Sequence, residues 1–393
     1  MSSPDELRQQ QAIRRLILNY GVATFAGALA TRVTDPLVAE IAAEFAAPST
    51  QVALLGTAFS LPYAFVQPVL APVGDALGKG RIINGALFVL AAVLLACALA
   101  PSLSALMVFR ALAGAAGGGV MPLTLAVMGD AVPMKDRQVA ISRLLVFAIT
   151  GQIAGGVVAG PVAALAGWRG VLALCAAFAL AAALVLLRAS RSAPPEEAAR
   201  FDPALALRRY RGIVTNPAAL TLYAAVAVEG MLVFGAFPFV APLLLERGIG
   251  GTTEAGLTIG AFGLGGVGYA MAARTLLERI GQGRMVMLGG ASAAAALLCF
   301  ALAPAFAVMA LGGFLLGMGF YMIHNSIQTR VTEVAPRARA SAVSLHAFSF
   351  FTGQSLGPVL CGAGSNVIGI ETTLAIAAVG IAALGIVLGR RPA

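Results

Sequence analysis

Apolar residues run along this chain in twelve blocks, at about 15–38, 51–73, 82–100, 103–127, 139–163, 169–188, 217–242, 254–277, 285–303, 305–329, 340–363 and 371–389. Short polar turns separate them. Each block is about 18 to 26 residues long, enough for one helix to cross about 30 Å of hydrocarbon. Neither the strict alternation of a half-buried strand nor the single apolar stripe of a soluble helix accounts for blocks this long. The pattern predicts an all-α membrane protein with twelve transmembrane helices.

One interruption is longer than the rest. The stretch "RASRSAPPEEAARFDPALALRRYRGIVTNP" is polar, proline-containing and Arg-rich. It divides the chain into an N-terminal six-helix bundle (1–190), a linker (191–216, expected to be cytoplasmic) and a C-terminal six-helix bundle (217–393). The linker's later part reads equally as a short amphipathic helix on an anionic membrane surface or as a flexible tether.

The halves repeat each other. At a shift of 203 residues, "DALGKGR" (75–81) matches "ERIGQGR" (278–284), "ALAP" (98–101) recurs at 301–304, and "DAVP" (130–133) matches "EVAP" (333–336). Gly114 maps to Gly317 at the same shift. At 202, "TGQ" (150–152) recurs at 352–354 and "DPLVA" (35–39) aligns with "FPFVA" (237–241). Six spans per half is an even number, so both halves enter the membrane from one side. That predicts two pseudo-symmetric bundles related about the membrane normal.

Composition agrees with the pattern. Of 393 residues, 59% are hydrophobic and 11% charged, with a mean hydropathy of +0.90. The net charge of +9 raises the question of nucleic acid, but the placement of the charges answers it. All but Arg32, Arg110, Arg169 and Arg247 of the 26 basic residues fall near the N-terminus, in alternate loops or at the C-terminus. This positive-inside bias puts both termini in the cytoplasm of a multi-pass protein of the cell's inner membrane. No basic face remains for nucleic acid. The four cysteines lie inside apolar blocks and read as small hydrophobes, without metal spacing or a disulfide framework. No serine–histidine–aspartate order, metal motif or phosphate-binding glycine loop is present, so an enzyme is not expected. No cofactor or metal is expected either.

Two carboxylates lie at hydrocarbon depth. Glu229 sits twelve residues into its block, about 18 Å at 1.5 Å per residue. Asp35 is nearer the outer end of the first block, with Arg32 three residues earlier on the same helical face. A carboxyl whose surroundings alternate can bind a proton on one side and release it on the other. Arg110 lies inside the fourth block, where a guanidinium needs a partner or water, and reaches toward Asp35. Asp35, Glu229, Arg110 and Arg32 are therefore the candidate proton-coupling groups. A structural ion pair reads Arg32 and Asp35 equally well. His324 and His346 could relay protons, hold a ligand or simply be satisfied within the bundle. Gln152 and Gln354 occupy equivalent places in the repeat and suit substrate hydrogen bonding or interhelical packing equally. With Tyr63, Phe147, Phe234, Phe237, Tyr321 and Phe350, these two histidines and two glutamines form the candidate substrate cavity.

Three local sequences resemble signatures of the major facilitator superfamily, and specifically of its twelve-span drug:proton antiporters. In "APVGDALGKGR", Asp75, Gly78 and Arg81 resemble the loop signature G-x-x-x-D-R-x-G-R-R. Ala71 stands where its first glycine belongs and Ala76 replaces its first arginine. Arg110 and Gly114 resemble the fourth-span signature R-x-x-x-G. In "ITGQIAGGVVAGPVAALAGW", Gly151, Gly155, Gly156, Gly160 and Pro161 resemble the fifth-span antiporter signature, with Ala163-Ala164 replacing its closing glycines. In a bilayer, small residues let helices approach closely and neighbours satisfy the groups a proline frees. The resemblance implies the major facilitator fold and proton-coupled efflux of an amphipathic organic molecule or drug by a monomer. It implies a latch at Asp75 and Arg81, and a stripe of Gly151, Gly155 and Gly160 sealing one end of the cavity against the other half. A facilitator or proton symporter importing a small metabolite, and a membrane sensor that does not transport, are the alternatives.

Overall fold

The structure is a computed structural model describing residues 4–190, 203–335 and 338–390. These residues form helices joined by short turns, without strands among them. The first span is Pro4–Arg32, followed by short helices Val38–Glu44 and Ser49–Val52. The second span is Leu54–Leu77 and the third Lys79–Ala98. The fourth is Leu103–Gly117, continued by Val120–Ala131. Met134–Ser190 holds the fifth and sixth, broken at Gly167. The linker carries a helix at Pro203–Val214. The seventh span runs Pro217–Phe234, a 3-10 turn at Phe237–Phe239, and Val240–Glu246. Thr252–Leu302 holds the eighth and ninth, broken at Gly281. Phe306–Val334, Arg339–Ile368 and Ile370–Arg390 are the tenth to twelfth.

Local signals set the ends. Ser102 Oγ accepts the Ala105 amide at 3.2 Å to cap the fourth span, and Asn216 Oδ1 accepts that of Ala218 at 3.0 Å ahead of the seventh. Pro217 then occupies a first-turn position, where its missing N–H removes no helical bond. The fifth and sixth spans need no loop, because Gly167 turns the chain at φ 65°. Its repeat partner Gly369 does the same at φ 84°, and Gly78 and Gly281 form another such pair at φ 91° and 75°.

Helix contacts repeat as well. A Cβ on Gly114 would land on the Phe59 carbonyl, and one on Gly317 on the Phe262 carbonyl. Gly151 and Gly155 lie against the Phe25 and Leu29 carbonyls; Gly353 and Gly357 lie against those of Ala227 and Met231. All three pairs of equivalent contacts obey the 202 or 203 shift. They are the small-residue crossings by which apolar helices pack without a hydrophobic drive between them. Two clusters of buried side chains fill the N-terminal bundle and one large cluster most of the C-terminal bundle.

The far end of the bundle, opposite the termini, carries a duplicated ion pair of inverted polarity. Arg169 pairs with Glu44 and donates to the Ala100 carbonyl at 3.0 Å. At the equivalent place Arg247 pairs with Glu371 at 3.3 Å and donates to the Phe300 and Ala301 carbonyls. Each arginine thereby meets carbonyls that the third or ninth span leaves free at its C-terminal end. The Trp168 indole N–H also donates to Glu44, and the Trp168 amide to Glu40 at 2.9 Å. Burial pushes the Glu40 carboxyl up. Burial also acts to raise Glu44, but the hydrogen bonds from Arg169 and Trp168 outweigh it and hold that carboxyl below its usual range.

Candidate functional site

The two halves meet along two seams. In one, the second span packs on the eleventh: Gln354 Nε2 donates to Ser60 Oγ at 2.8 Å, Thr57 Oγ1 to the Ser355 carbonyl at 2.6 Å, and Ser344 Oγ to the Gln67 carbonyl at 2.8 Å. Tyr63 packs against Phe351 with tilted rings, centroids 4.1 Å apart. In the other, the fifth span packs on the eighth. Gly156 faces Gly256, Gly160 faces Thr253, and Val157 and Ile153 fill the space left by Gly260 and Gly263. These fifth-to-eighth contacts lie in the halves of both helices nearer the far end.

The glycine signature therefore splits. Gly151 and Gly155 pack on the first span of their own bundle, while Gly156 and Gly160 form the seam with the other. A single stripe of Gly151, Gly155 and Gly160 is not what forms. Each pair is spaced i, i+4, and the second pair follows the first by five residues, about 140° around the helix. Pro161 continues inside the same helix.

Between the seams lie the buried ionisable groups. Glu229 is 0% exposed on the seventh span, and its Oε2 lies 2.9 Å from His324 Nδ1 on the tenth. His324 stacks on Phe320 at 4.8 Å and meets Phe350 at 4.8 Å and His346 at 5.1 Å. Neither Glu229 Oε1 nor His346 Nε2 has a hydrogen-bond partner among the described residues. Phe234 touches Phe237, Phe262, Phe320 and Phe350, with centroids 5.2 to 5.6 Å apart. Tyr321 closes this aromatic cluster against Phe320 and Phe262.

The N-terminal bundle contributes the opposite charge. Arg32 Nη1 donates to Asp35 Oδ2 at 3.0 Å, and both side chains are buried. The Arg32 guanidinium crosses the interface to lie over Phe234 at 4.2 Å and Phe237 at 5.5 Å. Cation–π contacts of this kind strengthen when desolvated. Arg110 is 0% exposed, stacks over Phe59 at 4.4 Å, and donates to the Ala30 and Thr31 carbonyls at 3.1 and 3.5 Å. It thus bonds the backbone of the first span, and the ion pair expected with Asp35 does not form. Asp35 is already taken by Arg32, one helical turn away.

Other expected residues are distributed more widely. Gln354 bridges the halves, but the Gln152 side chain forms no hydrogen bond among the described residues. Phe147 packs into the space left by Gly21 on the first span. Gly78 makes the turn between the second and third spans, Arg81 is exposed, and the Asp75 side chain lies outside the described residues. Lys79, which the loop signature did not single out, pairs with Asp130 at 2.9 Å. Ser60, Phe351, Thr253 and Gly256 are likewise seam residues that the sequence did not mark, since no local motif records a partner some hundred residues or more away.

The family model described as Major Facilitator Superfamily matches residues 20–358. The chain is 25% identical, over 88% of its length and 84% of the relative's, to the uncharacterised MFS-type transporter YwfA of Bacillus subtilis. It is 30% identical to the fatty acid resistance protein FarB of Neisseria gonorrhoeae, and 29% to the multidrug export protein EmrB of Haemophilus influenzae. Both alignments span 38% of this chain and 30% of the relative. In fold it is similar to a bacterial homologue of the lysosomal transporter Spinster (TM-score 0.71, 19% identity, 99% and 98% of the two chains). It is also similar to the nucleoside transporter NupG (TM-score 0.78, 15% identity, 95% and 98%).

Proposed function

This chain belongs to the major facilitator superfamily of membrane transporters, and on that premise we propose that it is a proton-coupled antiporter exporting an amphipathic organic molecule by alternating access. The observation that carries the proposal is Glu229, a carboxyl at zero exposure whose one hydrogen-bond partner among the described residues is the His324 imidazole. An ionised carboxylate in hydrocarbon costs several kcal/mol unless paired. A group so placed exchanges its proton when water reaches it from one face or the other. Asp35, Arg32 and Arg110 form the complementary charged layer, and the aromatic cluster around Phe234 forms the apolar wall for the cargo. The partial matches to FarB and EmrB favour export of fatty-acid-like or drug-like molecules.

In this reading residues 1–190 and 217–393 are the rocking halves and 191–216 the cytoplasmic tether. Both termini face the cytoplasm, across a cell inner membrane, and the monomer is the working unit. The loop of Asp75, Gly78 and Arg81 latches the cytoplasmic side. Gly156 and Gly160 slide on the eighth span at the outer end.

The test uses everted vesicles energised to an acid interior, with ethidium and dodecanoate as probes. Antiport releases protons to the medium when probe is added, and Glu229→Gln abolishes the release. A facilitator gives no acidification, and a symporter does not give this sign. Full proton-driven transport by Glu229→Gln in proteoliposomes would remove Glu229 from the coupling step.

A further inference from the structure

Glu229, His324 and His346 come from three different spans, yet they stand in order of depth. The seventh span enters at Pro217, so Glu229 lies about 18 Å in along the helix at 1.5 Å per residue. The tenth span ends at Val334 on the same side, which puts His324 about 15 Å in. The eleventh span starts there at Arg339, which puts His346 about 10 Å in. The three side chains thus descend stepwise toward the end of the bundle that carries the termini.

They also touch in that order. His324 Nδ1 is 2.9 Å from Glu229 Oε2, and the His324 and His346 rings meet edge to face at 5.1 Å. His346 Nε2 is buried and has no hydrogen-bond partner among the described residues. On the opposite side of Glu229 the path is closed, because Phe234, Phe320 and Phe350 pack between it and Arg32. The fifth-to-eighth seam joins the halves farther out, while the second-to-eleventh seam runs past this depth as far as Ser344 and Gln67.

Resting on the antiport reading above, we infer that His324 and His346 form the proton exit from Glu229 to the terminus-bearing side, the carboxyl and the first imidazole holding the exchangeable proton between them. In the step, the proton moves from Glu229 Oε2 to His324 Nδ1, and the imidazolium gives up its other ring proton from Nε2. That proton passes to His346, directly or through one water, and from there to water at the terminus-bearing end. No bond other than N–H and O–H changes, and no further reactant is needed. Neutral histidine both donates and accepts, so each ring can pass a proton on. The remaining ionisable groups at this depth on the three spans have other engagements. Tyr223 donates to the Ala342 carbonyl at 3.2 Å, and Tyr321 packs on Phe320. Across the interface Arg32 is paired with Asp35.

The experiment needs no substrate. Purified protein in nanodiscs is followed by time-resolved infrared spectroscopy after an upward pH jump. The signal is the protonated carboxyl band, assigned to Glu229 by its loss in Glu229→Gln. His346→Ala is expected to slow deprotonation at least about a hundredfold, the lower range for a positioned proton-transfer group. Added imidazole should restore much of the rate, whereas equal ionic strength without imidazole should not. His346→Gln, which keeps a polar side chain of comparable size, should be as slow as His346→Ala if folding is intact by size-exclusion. A wild-type rate in either variant, or slowing that imidazole does not relieve, overturns the exit path. The antiport reading fails separately, if Glu229→Gln retains proton-driven transport.

Discussion

Replacing Gly160 with leucine should open the far end of the molecule, and replacing Gly155 should not. A Cβ at Gly160 would run into the Thr253 Cα, which is backbone and cannot rotate away. At Gly156 the same atom would lie 3.0 Å from the Gly256 carbonyl oxygen, tight but partly relievable. Forcing extra carbons into a close-packed contact costs about 1–3 kcal/mol. In Gly160→Leu that cost falls only on the state in which the fifth and eighth spans touch. The equilibrium between closed and open far ends should therefore move about 5-fold to 150-fold toward open. In Gly155→Leu the clash is with the Leu29 carbonyl of the same bundle. It burdens both states equally and appears as lower thermal stability instead. Spin labels on Ala46→Cys and Glu246→Cys, one on each half at the far end, report the distance distribution by double electron–electron resonance. Gly160→Leu should gain a long-distance population that Gly155→Leu lacks. Equal distributions for the two variants, or the longer one for Gly155→Leu, would refute the assignment of the two glycine pairs to different partners.

Three more outcomes follow from the geometry. Gly114→Ala and Gly317→Ala, pressing on pseudo-equivalent carbonyls, should each lower thermal stability by about 1–3 kcal/mol, read from the fluorescence of the single tryptophan, Trp168; a neutral effect at either breaks the equivalence. Glu44→Gln should cost at most about 1 kcal/mol at neutral pH, since both partners of its ion pair are substantially exposed. Because the folded Glu44 carboxyl is held below its usual range, its contribution is present above the unfolded value and lost as pH falls through the folded one. The melting difference between wild type and Glu44→Gln should accordingly shrink in acid, and a difference that grows there contradicts the pairing. Gln354→Ala should loosen the second-to-eleventh seam without altering proton release by Glu229, checked by the same infrared band.

Much of the architecture was legible because hydrocarbon imposes a length on each element, and the duplication prints it twice. The twelve spans, the depth of Glu229 and the match of Gly114 with Gly317 all come from such one-dimensional regularities. Pairings between spans are different in kind. Nothing near Glu229 in sequence hints at His324, 95 residues on, because the contact depends on how two helices are rotated about their axes. The same rotation decides that Gly155 meets the first span and Gly156 the eighth, a distinction that a glycine motif does not encode. Arg110 was expected to seek Asp35 by charge alone. It bonds carbonyls of the first span, since Arg32 is tethered one turn from Asp35 and reaches it first. The loop signature highlighted Asp75 and Arg81, whereas Lys79 is the residue that meets Asp130, through a turn set by the positive φ of Gly78.

The account rests on two halves that rock about a protonatable group buried between them. Its most direct test is to record label distances at both ends of the bundle across a pH series, in wild type and in Glu229→Gln. Reciprocal changes in wild type, one end lengthening as the other shortens, together with a pH-independent distribution in the variant, are the predicted result. Ends that move together, or a variant that follows pH as wild type does, would contradict it.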